Sequence, residues 1–542
     1  MYFIKNFLFL SFLLLFVKIQ AEDGYELWLR YAPVTNATRA VEYKTQIKAL
    51  AIYGNSATMQ AVTEELNRGL SGLLTKKIPL SKTGNVIIGA AKNVALNEAV
   101  ISKKTLQSVG NEGYMIVSKQ GNIYITANTD IGVLYGVFHF LRLMQTEQSL
   151  NDLNIVEKPK VQHRVLNHWD NLNRHVERGY AGQSIWDWHR LPDYIDPRYK
   201  DYARANASIG INGVSPINVN ANAQTLTPQY LEKVKALADV FRPYGIKMYL
   251  TARFSAPIEI GKLKTADPLD PSVQQWWKDK VDEIYTSIPD FGGFLVKANS
   301  EGQPGPQNYG RNHADGANLL ADAVAPHGGI VMWRAFVYSA DINEDRHKHA
   351  NNEFVPLDGQ FRKNVIIQVK NGAIDFQPRE PFHPLFGAMP KTPIMPEFQI
   401  THEYLGQATH LVYDGTLFKE CLESDTYAKG KGSTVAKIMD GSLDGHTLTG
   451  IDVANIGSDR NWCGHPFLQS NWYVFGRLAW NYELKASDIA DEWMKMTFST
   501  PPQYEAVLNK IMMASRENMV NYMTPLGLHH IMTYGSHYGP AP

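Results

Sequence analysis

VLNHWDN (165–171) and GINGVSPINV (210–219) open a series of eight short apolar, β-rich runs, and the reading of that series decides the fold. IKMYLTARF (246–254), GFLVKANSEG (293–302), GIVMWRAFVY (329–338), NVIIQVKNGAID (364–375), MPEFQITHEY (395–404) and TLTGIDVAN (447–455) continue it. The runs are close to continuously apolar, as strands covered on both faces must be. The segments between them read as helices. In one, Thr227 stands at the N-cap, Pro228 in the first turn, and Leu231, Val234, Ala238 and Phe241 form a stripe that Gly245 ends. Another carries Trp277, Val281, Ile284 and Ile288 at helical spacing. Eight strands alternating with helices predict an α/β fold with a central (β/α)8 TIM barrel. A doubly wound open sheet is the competing arrangement, but no Gly-rich phosphate or dinucleotide fingerprint follows the first strand.

Working outward, residues 156–470 are assigned to this barrel and 22–155 to an N-terminal α/β domain. In the latter, Val86–Ala90 is a short strand, GYMIVSKQGNIYITA (113–127) is a hairpin about Gln120-Gly121-Asn122, and a helical pattern runs from Thr129 to Leu143. No chemical constellation is visible there. Beyond 470 the pattern turns helical, with Ser487 as the cap of a helix through Asp488–Phe498 and a second helix over Tyr504–Asn518. Residues 471–542 read as the start of a C-terminal helical region that is incomplete. At the other end, MYFIKNFLFLSFLLLFVKIQA (1–21) has Lys5, an apolar run from Phe7 to Val17 too short to span a bilayer, and a cleavage edge at Ala21. It reads as a signal peptide, so the protein is expected in the periplasm or outside the cell, with no membrane association after cleavage. Export makes a Cys421–Cys463 disulfide possible, and two separate buried thiols are the alternative.

Composition bounds the function. A chain of 542 residues with 44% hydrophobic and 20% charged residues is ordinary globular protein, not disordered, collagenous or coiled-coil. Lys+Arg and Asp+Glu are both 53, which gives no case for nucleic acid or an anionic membrane as partner. Two cysteines exclude a disulfide scaffold and a Cys-based zinc module. The 11 Trp and 27 Tyr suit sugar-stacking platforms and equally suit a large core.

Barrel chemistry sits at the C-terminal ends of the strands. The first run ends on His168, Trp169, Asp170 and Asn171, the fourth on Lys297, Asn299 and Glu301, and the fifth carries Trp333 and Arg334. The sixth ends on Lys370, Asn371 and Asp375, and the seventh on His402 and Glu403. Three carboxylates, Glu301, Asp375 and Glu403, thus rim one mouth. Glycoside hydrolysis needs a protonated carboxylic acid beside the leaving oxygen and a carboxylate on the opposite face. Metal-dependent isomerases and lyases place Asp and Glu on the same rim. Lys297, Arg334 and Lys370 weigh against a divalent metal and for an anionic substrate group, such as a uronic acid. Internal pairing of these cations with the same acids is the other reading. Lys297 and Glu301, four apart, are expected on one face of an extended strand. Trp169 and Trp333 are candidate apolar walls.

KANSEGQPGP (297–306), VMWRAF (331–336), QVKNGAIDFQPREP (368–381) and ITHEYLGQ (400–407) resemble the motifs of the α-glucuronidases of glycoside hydrolase family 67. NHWDNLNRHVERGYAGQSIW (167–186) and LHHIMTYGSHYGP (528–540) resemble them too, and the likeness runs in order from about residue 24 to the end. The resemblance implies an N-terminal α/β domain, a (β/α)8 barrel and a mostly helical C-terminal domain. It implies hydrolysis, with inversion, of the α-1,2 bond between glucuronic or 4-O-methylglucuronic acid and the non-reducing terminal xylose of xylooligosaccharides. By matching position, Glu301 is the general acid, and Asp375 and Glu403 hold and activate the water. Lys297, Arg334 and Lys370 bind the uronate carboxylate, and Trp169 and Val219 line the sugar and its 4-O-methyl group. No metal or cofactor is implied, and the spacing of His529, His530 and His537 matches no structural zinc site. A homodimer is implied, built by helices that follow the position of residue 542. Glu301 must be protonated near neutral pH, so its surroundings are expected to disfavour the anion, with a bound uronate helping to arm it against Lys297. A metal-dependent uronic-acid isomerase or lyase, and a non-catalytic uronate-binding barrel, are the alternative functions.

Overall fold

A computed structural model of the chain describes residues 22–94, 100–336, 346–446, 449–498 and 502–523. The expected signal peptide (1–21) and His529, His530 and His537 lie outside the described residues. Five strands form an N-terminal mixed sheet: β1 (Leu50–Tyr53), β2 (Val86–Ala90), β3 (Tyr114–Lys119), β4 (Asn122–Ala127) and β5 (Asn154–Glu157), in the order β1-β2-β4-β3-β5. The β3–β4 hairpin turns on Gln120 and Gly121, both at positive φ (53° and 76°), which matches the right-handed twist of the strands. Thr129 caps the helix Asp130–Gln145, its hydroxyl accepting the Gly132 N–H.

Eight further strands follow: β6 (His163–His168), β7 (Gly213–Ser215), β8 (Lys247–Thr251), β9 (Gly293–Val296), β10 (Ile330–Arg334), β11 (Val365–Lys370), β12 (Ile394–Gln399) and β13 (Thr449–Ala454). All pair in parallel, and β13 returns to β6 to close the barrel. Each apolar run contributes one strand, and closure excludes the open sheet. Every residue of β9, β11 and β12 is buried, which is why those runs do not alternate.

The helix Pro228–Phe241 buries the expected stripe and passes through a 3-10 turn, Arg242–Tyr244, before Gly245 at φ 74°. Thr227 stands at its N-cap, but its hydroxyl donates to the Gln224 carbonyl and not to the helix. Ser487 is not a cap. The helix Ala486–Thr497 begins one residue earlier because Ala486 is buried with Ile489, Ala490 and Trp493, and Lys485 takes the cap position. The last described helix, Pro502–Met523, is longer than the sequence pattern suggests. Cys421 and Cys463 are separate buried thiols. No helix among the described residues is long and apolar enough to cross a membrane.

One close approach sets the register of β9 against β10. Gly293 starts β9 at φ 129°, and a Cβ on it would meet the Ile330 carbonyl oxygen at 1.9 Å. Gly293→Ala therefore combines left-handed strain with a backbone clash and is expected to cost about 2 kcal/mol or more. A urea unfolding midpoint equal to the parent's would show that β9 and β10 are not held so close.

Candidate active site

Lys297, one residue past β9, sends its Nζ to Glu301 Oε2 (2.5 Å) and to Asn220 Oδ1 (2.8 Å). The four-residue spacing does not act through a shared strand face. Four residues of extended strand span about 13 Å. The chain leaves β9 at Val296 and curls back through Asn299, Glu301 and Gly302, all at positive φ (52°, 50° and 76°), which brings the two charges together.

Arg334, the last residue of β10, is fully buried and grips Glu397 bidentately, Nε to Oε2 at 2.9 Å and Nη2 to Oε1 at 2.6 Å. Gln368 Nε2 donates to Glu397 Oε2 at 2.6 Å. Glu397 is not marked by the strand-end rule, although a charge among Ile394, Met395, Pro396 and Phe398 of the fully buried β12 is a signal that a partner must be buried with it. Lys370 ends β11 and pairs with Asp375. Its Nζ lies 3.3 Å from the centroid of the Phe336 ring, with Arg334 Cζ at 5.2 Å and Lys297 Nζ at 5.5 Å from the same centroid. All three cations therefore share one aromatic ring.

Asp375 and Phe376 occupy consecutive left-handed positions (φ 65° and 63°) in the loop after β11. The Glu380 carboxylate fixes this loop by accepting the Ile374 N–H at 2.5 Å, and Gly372 leaves it space, since a Cβ there would lie 2.1 Å from Glu380 Cδ. Tyr404 donates its hydroxyl to Asp375 Oδ2 at 3.2 Å. Glu403 receives Gln399 Nε2 at 2.9 Å, and Arg178 Nε lies 2.8 Å from its other oxygen. His402 turns away from the mouth, with its Nε2 3.0 Å from Asp414 Oδ2 and 2.8 Å from Asn471 Nδ2.

These residues surround one pocket. Trp169, Val219, Lys297, Glu301, Arg334, Lys370, Asp375 and Glu403 all line it. So do Glu177, Arg178, Asn220 and Phe336, which the sequence reading did not single out as site residues. Phe336 and Arg178 fall inside the quoted motifs, but nothing in their residue type announced a role. Trp333 is core instead: it is wholly buried, and its indole N–H donates to His313 Nδ1 at 3.1 Å. The pocket holds about 340 Å³ of empty space, part of it open to solvent.

Electrostatics set the acids apart. Burial pushes the Glu301 carboxyl up, but the charge and hydrogen bond of Lys297 outweigh it and hold Glu301 below the usual carboxylate range. This corrects the expectation that its surroundings alone disfavour the anion. Burial is the largest single influence, and it takes the charge and hydrogen bond of Lys297 together with the charge of Lys370 to overcome it. Burial depresses the Lys297 ammonium, Glu301 opposes this, and Arg334 and Lys370 push it further down. Glu403 is raised, by burial and then by the neighbouring charge of Asp375. Glu380, behind the loop, is pushed up to about 8, mainly by burial. Among the described residues no group of three or more His, Cys, Asp or Glu side chains is arranged to hold a metal ion.

Comparison with known proteins identifies the family. The family models for the glycosyl hydrolase family 67 N-terminus, middle domain and C-terminus match residues 27–140, 143–462 and 463–542. Alpha-glucuronidase A of Emericella nidulans is 39% identical over an alignment that covers 99% of this chain and 66% of that protein. Alpha-glucuronidase of Hypocrea jecorina is 38% identical, with 99% and 65% covered. The chain thus spans just under two thirds of the length of these relatives. Among solved structures, a GH138 enzyme targeting pectin rhamnogalacturonan II superposes with a TM-score of 0.56 at 15% identity, covering 88% of this chain and 56% of that one. A family GH115 4-O-methyl-alpha-glucuronidase with specificity for decorated arabinogalactans gives 0.55 at 12% identity, covering 88% and 63%. Both show a shared fold. The chain belongs to glycoside hydrolase family 67.

The buried Arg334–Glu397 pair yields a direct prediction. Arg334→Met leaves Glu397 charged and unpaired, and is expected to destabilise the fold by about 3–5 kcal/mol. Adding Glu397→Leu removes the orphan charge and recovers most of the loss. Equal stability of the single and double variants in urea would refute a buried ion pair.

Proposed function

We propose that this chain is an inverting α-glucuronidase that releases glucuronic or 4-O-methylglucuronic acid from the non-reducing terminal xylose of xylooligosaccharides. The observation that carries the reading is the convergence of Lys297, Arg334 and Lys370 on Phe336 beside Glu301, Asp375 and Glu403. A neutral sugar has no use for three cations, whereas a uronate carboxylate matches them. The names of the relatives, alpha-glucuronidase in each case, support it. Export, read from residues 1–21, belongs to the same proposal.

In this reading Glu301 gives its proton to the glycosidic oxygen as the bond to the anomeric carbon breaks. A water attacks that carbon from the opposite face, and its proton passes to the Asp375–Glu403 pair. Trp169 and Val219 wall the sugar. The uronate enters a pocket whose cations already have partners, so it competes for Lys297. As Lys297 turns to the substrate, the interaction that holds the Glu301 proton affinity down weakens, and the uronate adds its own negative charge. Substrate thereby arms the acid.

Incubation with aldotriouronic acid, followed by NMR, tests the reaction: the first uronic acid released should be the β-anomer, and release of the α-anomer would establish retention. Glu301→Ala should lower kcat by about 10²–10⁴-fold. In Lys297→Met the partner that depresses Glu301 is gone. The alkaline limb of kcat/KM, where the free acid loses its proton, should then move to higher pH. An alkaline limb at the parent's pH would separate Lys297 from the acid's ionisation.

A further inference from the structure

The last described helix, Pro502–Met523, touches both of the loops that carry Asp375 and Glu403. Toward the loop after β11, the buried Arg516 donates Nη2 to the Pro378 carbonyl at 3.4 Å and pairs with Glu420. Toward the segment that follows Glu403, Ser515 Oγ accepts the Tyr413 N–H at 2.8 Å. One turn further on, Met519 forms a small apolar cluster with Leu405 and Val412. We propose that this helix is a clasp that sets the aim of Asp375 and Glu403 together, with Arg516 as its positioning residue. The proposal rests on the glycosidase reading above, in which these two carboxylates activate the water.

The contact reaches Asp375 because its loop is a closed unit. Glu380 accepts the Ile374 N–H, which ties residue 380 back to the residue before Asp375, and Pro378 stands between the two. A guanidinium on Pro378 therefore holds the left-handed pair Asp375–Phe376 as a whole, and such backbone persists only where its surroundings over-determine it. The route to Glu403 is as short. The Leu405 and Gln407 N–H groups both donate to the His402 carbonyl, at 3.4 and 3.0 Å, so the turn that Met519 covers starts at the residue before Glu403. Neighbouring residues of a helix point about 100° apart, so Ser515 and Arg516 address two loops at once and one rigid rod couples them. Stability alone does not account for Arg516. Its side chain is 7% exposed while that of Glu420 is 51% exposed, and a buried charge with a half-wet partner returns little. Glu301 is held by a different element, Lys297 just past β9, so loosening the clasp should disturb the water-activating pair and spare the acid.

Arg516→Met in the full chain keeps the apolar stem and removes the guanidinium, and the half-exposed Glu420 is not left as a buried orphan charge. On aldotriouronic acid it should lower kcat by about 10–100-fold with KM near the parent's. The pH profile separates positioning from general damage. The acid limb of kcat/KM belongs to the Asp375–Glu403 pair, which must be unprotonated to take a proton from water. Glu403 is raised by burial and by the charge of Asp375, against Arg178 and Lys370. As the two carboxylates drift apart, that limb should move to lower pH, while the alkaline limb of Glu301 stays. Ser515→Ala, which removes one hydroxyl at the other loop, should shift the same limb and decides the matter if Arg516→Met does not fold. A parental kcat, or two limbs that move together, would overturn the proposal. Hydrogen exchange over residues 371–381 and 403–413 reads the clasp without turnover and should be faster in both variants. Unchanged exchange defeats the clasp whatever the turnover, and the glycosidase reading then stands or falls on release of uronic acid by the parent. Faster exchange with no release by the parent upholds the clasp and defeats the glycosidase reading.

Discussion

Three cations gathered around one phenyl ring repel each other, and the mouth of this barrel is organised to tolerate that repulsion. Charges a few ångströms apart in a protein interior interact by on the order of several kcal/mol. Each cation is therefore given its own carboxylate: Glu301 for Lys297, Glu397 for Arg334 and Asp375 for Lys370. The negative face of Phe336 takes up part of the remaining field. The three pairs differ in kind. Arg334–Glu397 lies within the barrel wall, bidentate and dry, and serves as fixed architecture. In Lys370–Asp375 and Lys297–Glu301 both partners line the pocket and can be exchanged, whereas of the first pair only Arg334 lines it.

The acids at the mouth are shifted in opposite directions. Glu301 is partly exposed and in contact with an ammonium, so the ion pair decides its proton affinity. Glu403 is buried next to a second carboxylate, so burial and like charge decide its affinity in the opposite direction. Two groups of the same chemistry are thus separated by a few ångströms of environment. In the proposed reaction the sign of that separation has to reverse when a uronate arrives, and the exchangeable Lys297 pair is the element that permits it.

The flanking regions act on the mouth through buried polar contacts. The helix Gln469–Trp480 is buried along its whole length, and Asn471 holds His402, the residue before Glu403. The N-terminal domain grips the barrel from another side. Glu65 accepts Arg204 bidentately at 2.7 and 2.9 Å, and Glu112 takes Arg164 at 2.6 Å. A buried charge whose partner lies on another domain penalises any slip between them.

The barrel was legible because its cause is local: strands covered on both faces are apolar over most of their length, and eight such runs have few ways to pack. The strand-end rule then pointed to Lys297, Arg334, Lys370, Glu301, Asp375 and Glu403 without a structure, and family resemblance added Trp169 and Val219. What tertiary structure decided was pairing. Arg334 turns to a carboxylate 63 residues away in sequence, an interaction no spacing rule reaches. Lys297 meets Glu301 through a left-handed curl, not along a strand. Phe336 and Trp333 stand three residues apart, yet only the first lines the pocket. Sequence determines which chemical groups arrive at the mouth, because that depends on short-range patterning. Which of them touch, and so which way each carboxyl's proton affinity shifts, depends on distances of a few ångströms that only closure of the barrel creates.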